Sequence, residues 1–429
     1  MNVVNEMEAY FDRLWPICRS ITGEGLRTSF KILQEIIPLK LTEVPTGTKV
    51  FDWEIPNEWN IRDAWIKGSN GKVYCDFRKN NLHIVNYSIG IHTSMEFEEL
   101  NKHLFLHSDL PDAIPYLTTY YKENWGFCLS KEEYDQMPKT GNYEVFIDAE
   151  HKIGSLTYGE LLVPGRSEEE ILISTYLCHP SLANNELSGP LLTAFLYKSL
   201  IEKIRDRYYS YRFLVAPETI GVIAFLAEKG AHLRKLLKAG LVVTCVGDSG
   251  SINYKKSKEE NTLINNVVEH ILKYSDYDYS IRDFSVMGSD ERQYCSPGFN
   301  FPVGSLMRTP YKEYKEYHTS LDNKNIISFP AMEEMVNLYI DVFKAIELNR
   351  KYRVNQLFCE LHLSKYDLYM DLGKQTMRGF EIDDLLHFLS YADGSMELLE
   401  IAEKKKKSIF NFETIVKICL EKNLIHFVY

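Results

Sequence analysis

Residues 170–204 read EILISTYLCHPSLANNELSGPLLTAFLYKSLIEKI. The near-continuous apolar run before His179 is the pattern of a strand buried on both faces. The Ser-Gly-Pro that follows the polar loop opens a helical run, with Pro190 tolerated in its first turn. A histidine is left at the tip of a buried strand, and a carboxylate, Glu186, returns a short loop later.

The same alternation continues downstream. YRFLVA and GLVVTCVG read as strands, and GVIAFLAEKGAHLRKLLK and NTLINNVVEHILKY as helices. YSIRDF and FPVGSLMR read as further strands, and AMEEMVNLYIDVFKAIEL closes as a helix. Strands alternating with helices predict a parallel or mixed sheet with helices on both faces. Ligands of such sheets gather beyond the carboxyl ends of the strands.

Outward from this core the texture changes twice. Upstream, Met7, Tyr10, Phe11 and Leu14 share one helical face. From about residue 46 to 155, short alternating runs with Trp53, Trp59 and Trp65 and frequent Asn, Gly and Pro predict strands joined by turns. Downstream, three short helical segments and a final apolar HFVY are winged-helix-like. The expected organisation is an α/β domain in two pieces, 1–45 and 156–352. A β-rich domain, 46–155, is inserted in it, and a winged helix, 353–429, follows.

Composition bounds the function. The chain has 429 residues, 45% of them hydrophobic and 25% charged, which is globular and long enough for two to four domains. The formal net charge of −11 argues against nucleic acid as the main partner. The eight cysteines are scattered without a CxxC pair, which predicts reduced thiols in a cytoplasmic protein. The first residues form neither a signal peptide nor a membrane span, so no membrane partner is expected. Self-association is left open.

Four polar residues fall just past strand ends: His179, Glu218, Asp248 and His318. Two imidazoles and two carboxylates on one sheet edge, with no thiolate, suit Zn, Mn or Co in a hydrolytic site. A glutamate beside such an ion relays a proton to a leaving amine. Arg292 and Arg308, with Asp290 nearby, are candidates to clamp a substrate carboxylate. Arg19 and Ser20 read as part of a capping turn. His103 and His107 read as structural, and Lys404–Lys407 as a solvated helix end. Cys178 is expected to pack away from His179, because neighbours on a strand face opposite ways.

The order His, N-x-x-x-S-G, Glu, Asp, Y-H-T-x-x-D is similar to that of the co-catalytic zinc aminopeptidases of the M28 type. More closely, WPICRSITGEG, VFDWEIPNEW, WGFC, CHPSLANNELSGP, APETIG, GSDERQYCSPGFNFPVGSLMRT and YHTSLD resemble the bacterial DUF4910 aminopeptidase-like group. The resemblance covers nearly the whole chain. It implies an M28-like core, a β-rich insert known as DUF2172 and a C-terminal winged helix. It also implies His179 as a ligand of a first metal, His318 of a second, and Glu218 as general base. The bridging aspartate of that pattern falls on Asn185, and the second glutamate, a metal ligand, on Thr219. Glu186 is then expected to supply the lost charge, and Asp248 stands near the remaining aspartate position.

These readings together predict a metal-dependent amide hydrolase using one or two Zn ions, with Mn or Co as substitutes. His179, Glu186, Asp248 and His318 are the expected metal donors and Glu218 the catalytic base. Asp290, Arg292, Arg308 and Tyr317 are expected to shape the pocket. The expected substrate is the N-terminal residue of a small peptide or an aminoacyl conjugate, in a polysaccharide or specialised-metabolite pathway. The rival expectation, from Asn185 and Thr219, is a binding or regulatory protein that kept the fold and lost the chemistry.

Overall fold

A computed structural model describes residues 2–368, 376–377 and 380–428. The chain divides into two compact units, one of Met1–Glu260 with Tyr279–Asn337, the other of Asn261–Asp278 with Leu338–Tyr429.

An eight-stranded mixed sheet forms the first unit's frame. In chain order its strands are β1 (Lys40–Pro45), β2 (Ser155–Val163), β3 (Glu170–Tyr176), β4 (Ser210–Ala216), β5 (Leu237–Val242), β6 (Ile252–Lys255), β7 (Tyr279–Arg282) and β8 (Val303–Met307). They lie side by side as β1-β2-β4-β3-β5-β8-β6-β7. β3 runs parallel to both β4 and β5, and β5 parallel to β8. Their carboxyl ends therefore share one edge. All seven residues of β3 and all seven of β4 are buried, as their largely apolar character predicts.

The loop after β3 does not wander. It passes through a π-helical turn, Ala183–Leu187, straight into helix α1, Ser188–Lys203. Gly189 sets how closely this helix approaches the sheet. A Cβ there would stand 2.5 Å from Thr175 Oγ1 and 2.6 Å from the Val243 carbonyl. Single π-turns inside helices recur at functional sites.

The β-rich region has its own four-stranded antiparallel sheet, with Glu58–Gly68 and Asn142–Lys152 at its centre. Alternate residues of the second of these strands, Tyr143, Val145 and Ile147, are buried in one core with Ala64, Ile66 and Phe127. The second unit carries the helices Ile382–Tyr391, Leu398–Lys405 and Glu413–Glu421 and a three-stranded sheet of Asp393–Glu397, Lys351–Val354 and Ile425–Val428. This is a winged helix. Among the described residues, no helix is long and apolar enough to cross a membrane.

Candidate active site

β3 ends at Tyr176, and its pairing with β4 continues one step through Leu177 N donating to the Ala216 carbonyl at 3.0 Å. The next two residues are gripped by one carboxylate. Glu186 Oε1 accepts from Cys178 N at 2.6 Å, and Glu186 Oε2 lies 2.7 Å from His179 Nδ1. Glu186 is fully buried. The guanidinium of Arg19, also buried, donates through Nη1 to the His179 carbonyl at 3.1 Å and through Nε to Ser29 Oγ at 3.1 Å. His179 is thus fixed at its ring and at its peptide, and Nε2 is left free.

Nε2 faces Glu218, whose Oε2 is 3.7 Å away. Glu218 sits on a strained corner just past β4. Ile220 N donates back to the Glu218 carbonyl at 2.8 Å, and Thr219 between them has φ 64° and ψ −78°. That is the φ-positive γ-turn, rare and costly for a β-branched residue. The strain is held from three sides. Asp290 Oδ1 accepts from Thr219 N at 2.8 Å, Arg292 Nη2 donates to Thr219 Oγ1 at 3.0 Å, and Glu218 N donates to Cys178 Sγ at 3.3 Å. Ser289 Oγ donates to Glu218 Oε1 at 3.1 Å.

His318 enters from the loop after β8 with φ 56°. Its carbonyl accepts from Tyr116 N at 2.8 Å. Tyr317 lies face to face with its ring at 4.0 Å, and Tyr116 meets both His318 and His179 edge-on. The two histidine rings have centroids 5.6 Å apart. Four residues on, Asp322 turns under the π-helical turn. Its Oδ1 accepts from Ala183 N and Asn184 N, and its Oδ2 from Asn185 N and Tyr314 Oη. Three amides at that turn are gathered by one side chain, and Ala183 N also donates to the Asp322 carbonyl at 2.9 Å.

A cavity of about 290 Å³ opens over Cys178, His179, Glu218, Thr219 and Arg292, and its other walls include Trp53, Tyr120 and Tyr121. Residues of the β-rich region thus roof the strand edge. Burial opposes a charged His179, but the Cys178 sulfur and the Glu186 carboxylate outweigh it and hold the imidazole well above its ordinary value. Burial pushes Glu218 up, against the pull of His179 and Arg292. Burial, then the charge of Glu218, raises Asp290. His318 goes the other way, to about 3, through burial and the positive charge of His179 and Lys312.

The structure therefore brings together His179, Glu186, Glu218, His318, Asp290, Arg292 and Tyr317. Two candidates are placed elsewhere. Asp248 spends its oxygens on Asn184 Nδ2, Gly250 N and Thr309, which makes it a loop tie rather than a metal donor. Arg308 donates to the Gly250 and Ala331 carbonyls and to Glu334, which corrects its assignment as a substrate clamp. Glu186 has both oxygens engaged, so it orients His179 instead of donating to an ion. Cys178 is corrected too. The strand has ended two residues earlier, so alternation no longer applies, and its sulfur lies 3.5 Å from His179 Nδ1. Arg19 and Asp322 were missed as positioning residues. Their signals were a lone cation in an apolar run, ICRSI, and the carboxylate at the end of YHTSLD.

His179, His318 and Glu218 are the groups here that could hold a metal ion. A histidine whose Nδ1 is held by a carboxylate presents Nε2 as a ligand. His318, kept neutral, offers a second imidazole, and Glu218 is the carboxylate facing the same space. The positions that the M28 pattern gives to the bridging aspartate and the second glutamate are filled otherwise. Asn185 Nδ2 donates to Tyr176 Oη at 3.0 Å, while its Oδ1 is buried with no partner. Thr219 Oγ1 is taken by the Arg292 guanidinium.

Residues 8–349 match the family described as a domain of unknown function, DUF4910, and residues 350–427 match a winged helix-turn-helix family, HTH_47. A protein of Clostridium acetobutylicum described as a polysaccharide biosynthesis protein with an aminopeptidase-like domain is 45% identical over 399 residues, 93% of this chain and 91% of that protein. A crystal structure described as a peptidase from the same species superposes with a TM-score of 0.91 at 41% identity, over 99% of this chain and 96% of that one. A zinc aminopeptidase from Bacillus subtilis shares the fold, with a TM-score of 0.57 at 10% identity over 79% of this chain and 93% of that one.

Proposed function

The chain belongs to the DUF4910 family, and from that premise we propose that it is an aminopeptidase-like amide hydrolase. It removes a single amino acid from a small peptide or an aminoacyl conjugate. The observation that carries this reading is the line Glu186–His179–Glu218, a buried imidazole fixed at one nitrogen and turned by the other toward a carboxyl of raised proton affinity.

His179 and His318 would hold one zinc ion, with Mn or Co as substitutes. When bound, such an ion polarises a carbonyl and makes hydroxide available near neutral pH. Glu218 takes the proton of the attacking water and returns it to the departing amine. Ser289 and the Thr219 corner fix the direction of that carboxyl. Arg292 supplies a permanent positive charge beside Thr219 and Glu218. Trp53, Tyr120 and Tyr121 exclude water and leave room for one residue-sized group. The amine partner is set by what fits outside them. The polysaccharide link in the relative's name supports an amino acid carried on a sugar. The free state of all eight cysteines supports a reducing compartment such as the cytoplasm.

The test joins metal content to turnover of aminoacyl amides. One zinc per cleft, lost in His179→Ala together with hydrolysis, supports the proposal. Hydrolysis that survives in His179→Ala refutes it. The second reading, a binding protein that retained the fold, is favoured by Asn185 and by the Thr219–Arg292 contact. It takes over if the wild type binds aminoacyl compounds without cleaving them.

A further inference from the structure

Outside the cleft, a thiol, an imidazole and a carboxylate meet in the core of the β-rich region. Ligand atoms of Cys75, His83 and Glu133 all lie within 4.8 Å of one another. Cys75 and His83 are buried, and Glu133 is half-buried. They come from separate elements. Cys75 follows the strand Val73–Tyr74, His83 ends a short 3-10 turn at Asn81–His83, and Glu133 lies on the helix Lys131–Asp135.

Each group is turned inward by a specific contact. His83 Nδ1 is 2.9 Å from the Cys128 carbonyl, so it carries the proton and leaves Nε2 as a lone pair. That is how a metal-binding imidazole is held. Glu133 stands three residues after Ser130, whose hydroxyl caps the helix by accepting from Glu133 N at 3.1 Å. Ser-x-x-Glu would form a capping box if the glutamate reached back to Ser130. It goes instead to Cys75, accepting from its N–H at 3.0 Å through Oε1. The other oxygen, Oε2, is 3.9 Å from His83 Nε2. That gap is too long for a hydrogen bond. It is close to the spacing of about 3.3–3.8 Å between ligands around one tetrahedral zinc.

We propose that Cys75, His83 and Glu133 form a structural site for a thiophilic divalent cation, zinc in the first instance, that clips the β-rich region together. Binding releases the Cys75 proton to solvent and leaves a thiolate on the ion. Water completes the coordination on the half-buried Glu133 side. The clip ties segments 58 residues apart in sequence (Cys75 and Glu133) and leaves the cleft chemistry to His179 and His318. Cys178 of the cleft also offers a sulfur beside His179, so the two sites are told apart by comparing Cys75→Ser with His179→Ala.

The test loads the full-length protein with Co(II), whose bond to a thiolate gives an intense near-ultraviolet charge-transfer band, and counts Zn(II) by elemental analysis. Wild type and His179→Ala are expected to show the band, and Cys75→Ser and His83→Ala to lose it together with one molar equivalent of Zn(II). Chelation is expected to lower the Tm of His179→Ala but not that of the double variant His179→Ala/Cys75→Ser. If Cys75→Ser fails to fold, the spectrum of His179→Ala decides alone. A folded His179→Ala protein without the band, or a Cys75→Ser protein with unchanged Zn(II), overturns the site and leaves the proposal for the cleft intact.

Discussion

Glu186 and His179 are seven residues apart and locked together, with Oε2 2.7 Å from Nδ1 while Oε1 holds the preceding peptide N–H at 2.6 Å. One buried carboxylate therefore sets both where the imidazole sits and which nitrogen is free. Glu186→Gln keeps the shape but places an amide against Nδ1 or against the Cys178 N–H. It is expected to lower zinc affinity or kcat/KM by about 10–100-fold, the usual cost of losing such a partner. Zinc titration and steady-state kinetics on an aminoacyl amide check it.

Glu218→Gln removes the proton acceptor and leaves the cavity's volume unchanged. The expected outcome is a fall in kcat of about 10²–10⁴-fold with KM little changed. An equal fall in kcat and rise in KM would assign Glu218 to binding instead.

Beneath the site, Arg212 on β4 makes a two-pronged contact to Glu170 on β3, at 2.6 and 2.8 Å, and reaches Glu160 on β2 at 2.6 Å. Burial would raise Glu170, but the hydrogen bonds from Arg212 and His232 outweigh it and hold the carboxyl low. Arg212→Leu strands a buried charge, and about 3–5 kcal/mol of stability is expected to go. Chemical denaturation monitored by tryptophan fluorescence measures it. The depressed Glu170 contributes stability above the ordinary glutamate value near 4.3, which is lost as pH falls through its lower folded value.

A separate pH effect belongs to the second unit. His270 Nδ1 is 2.6 Å from Glu403 Oε1, and Nε2 accepts from Ile409 N at 2.9 Å, so the neutral ring satisfies both. Burial holds it below its ordinary value, against the pull of Glu403. The unfolded chain takes up a proton near pH 6.5 and the folded ring only at lower pH. Stability of this unit is therefore expected to fall as pH drops below about 6.5. Hydrogen exchange of 263–273 and 398–412, corrected for its intrinsic pH dependence, is expected to speed up at pH 5.5 relative to 7.5. His270→Gln is expected to abolish the difference.

The sheet was legible because β3 and β4 each carry a run of apolar residues and a parallel pair needs both faces covered. The same logic placed His179 and Glu218, since both follow directly on those strands. It failed for Asp248 and Arg308, which also follow strands, because the loops beyond them curl back and consume their polar atoms. Nothing in residue order distinguishes a loop that opens from one that closes on itself. Cys178 was misjudged by applying strand alternation past the last strand residue. Glu186 was recognised as belonging to the site, but its role depended on the π-turn, which adds one residue to a helical turn and has no periodic signature.

Asp322 accepts from the amides of Ala183, Asn184 and Asn185, and it lies on the same short loop as His318. The two histidines of the cleft, far apart in sequence, thus answer to a single latch. A shift of the His318 loop would unseat Asp322, loosen the turn that carries Glu186, and release His179. The cleft is therefore assembled or dismantled as a whole.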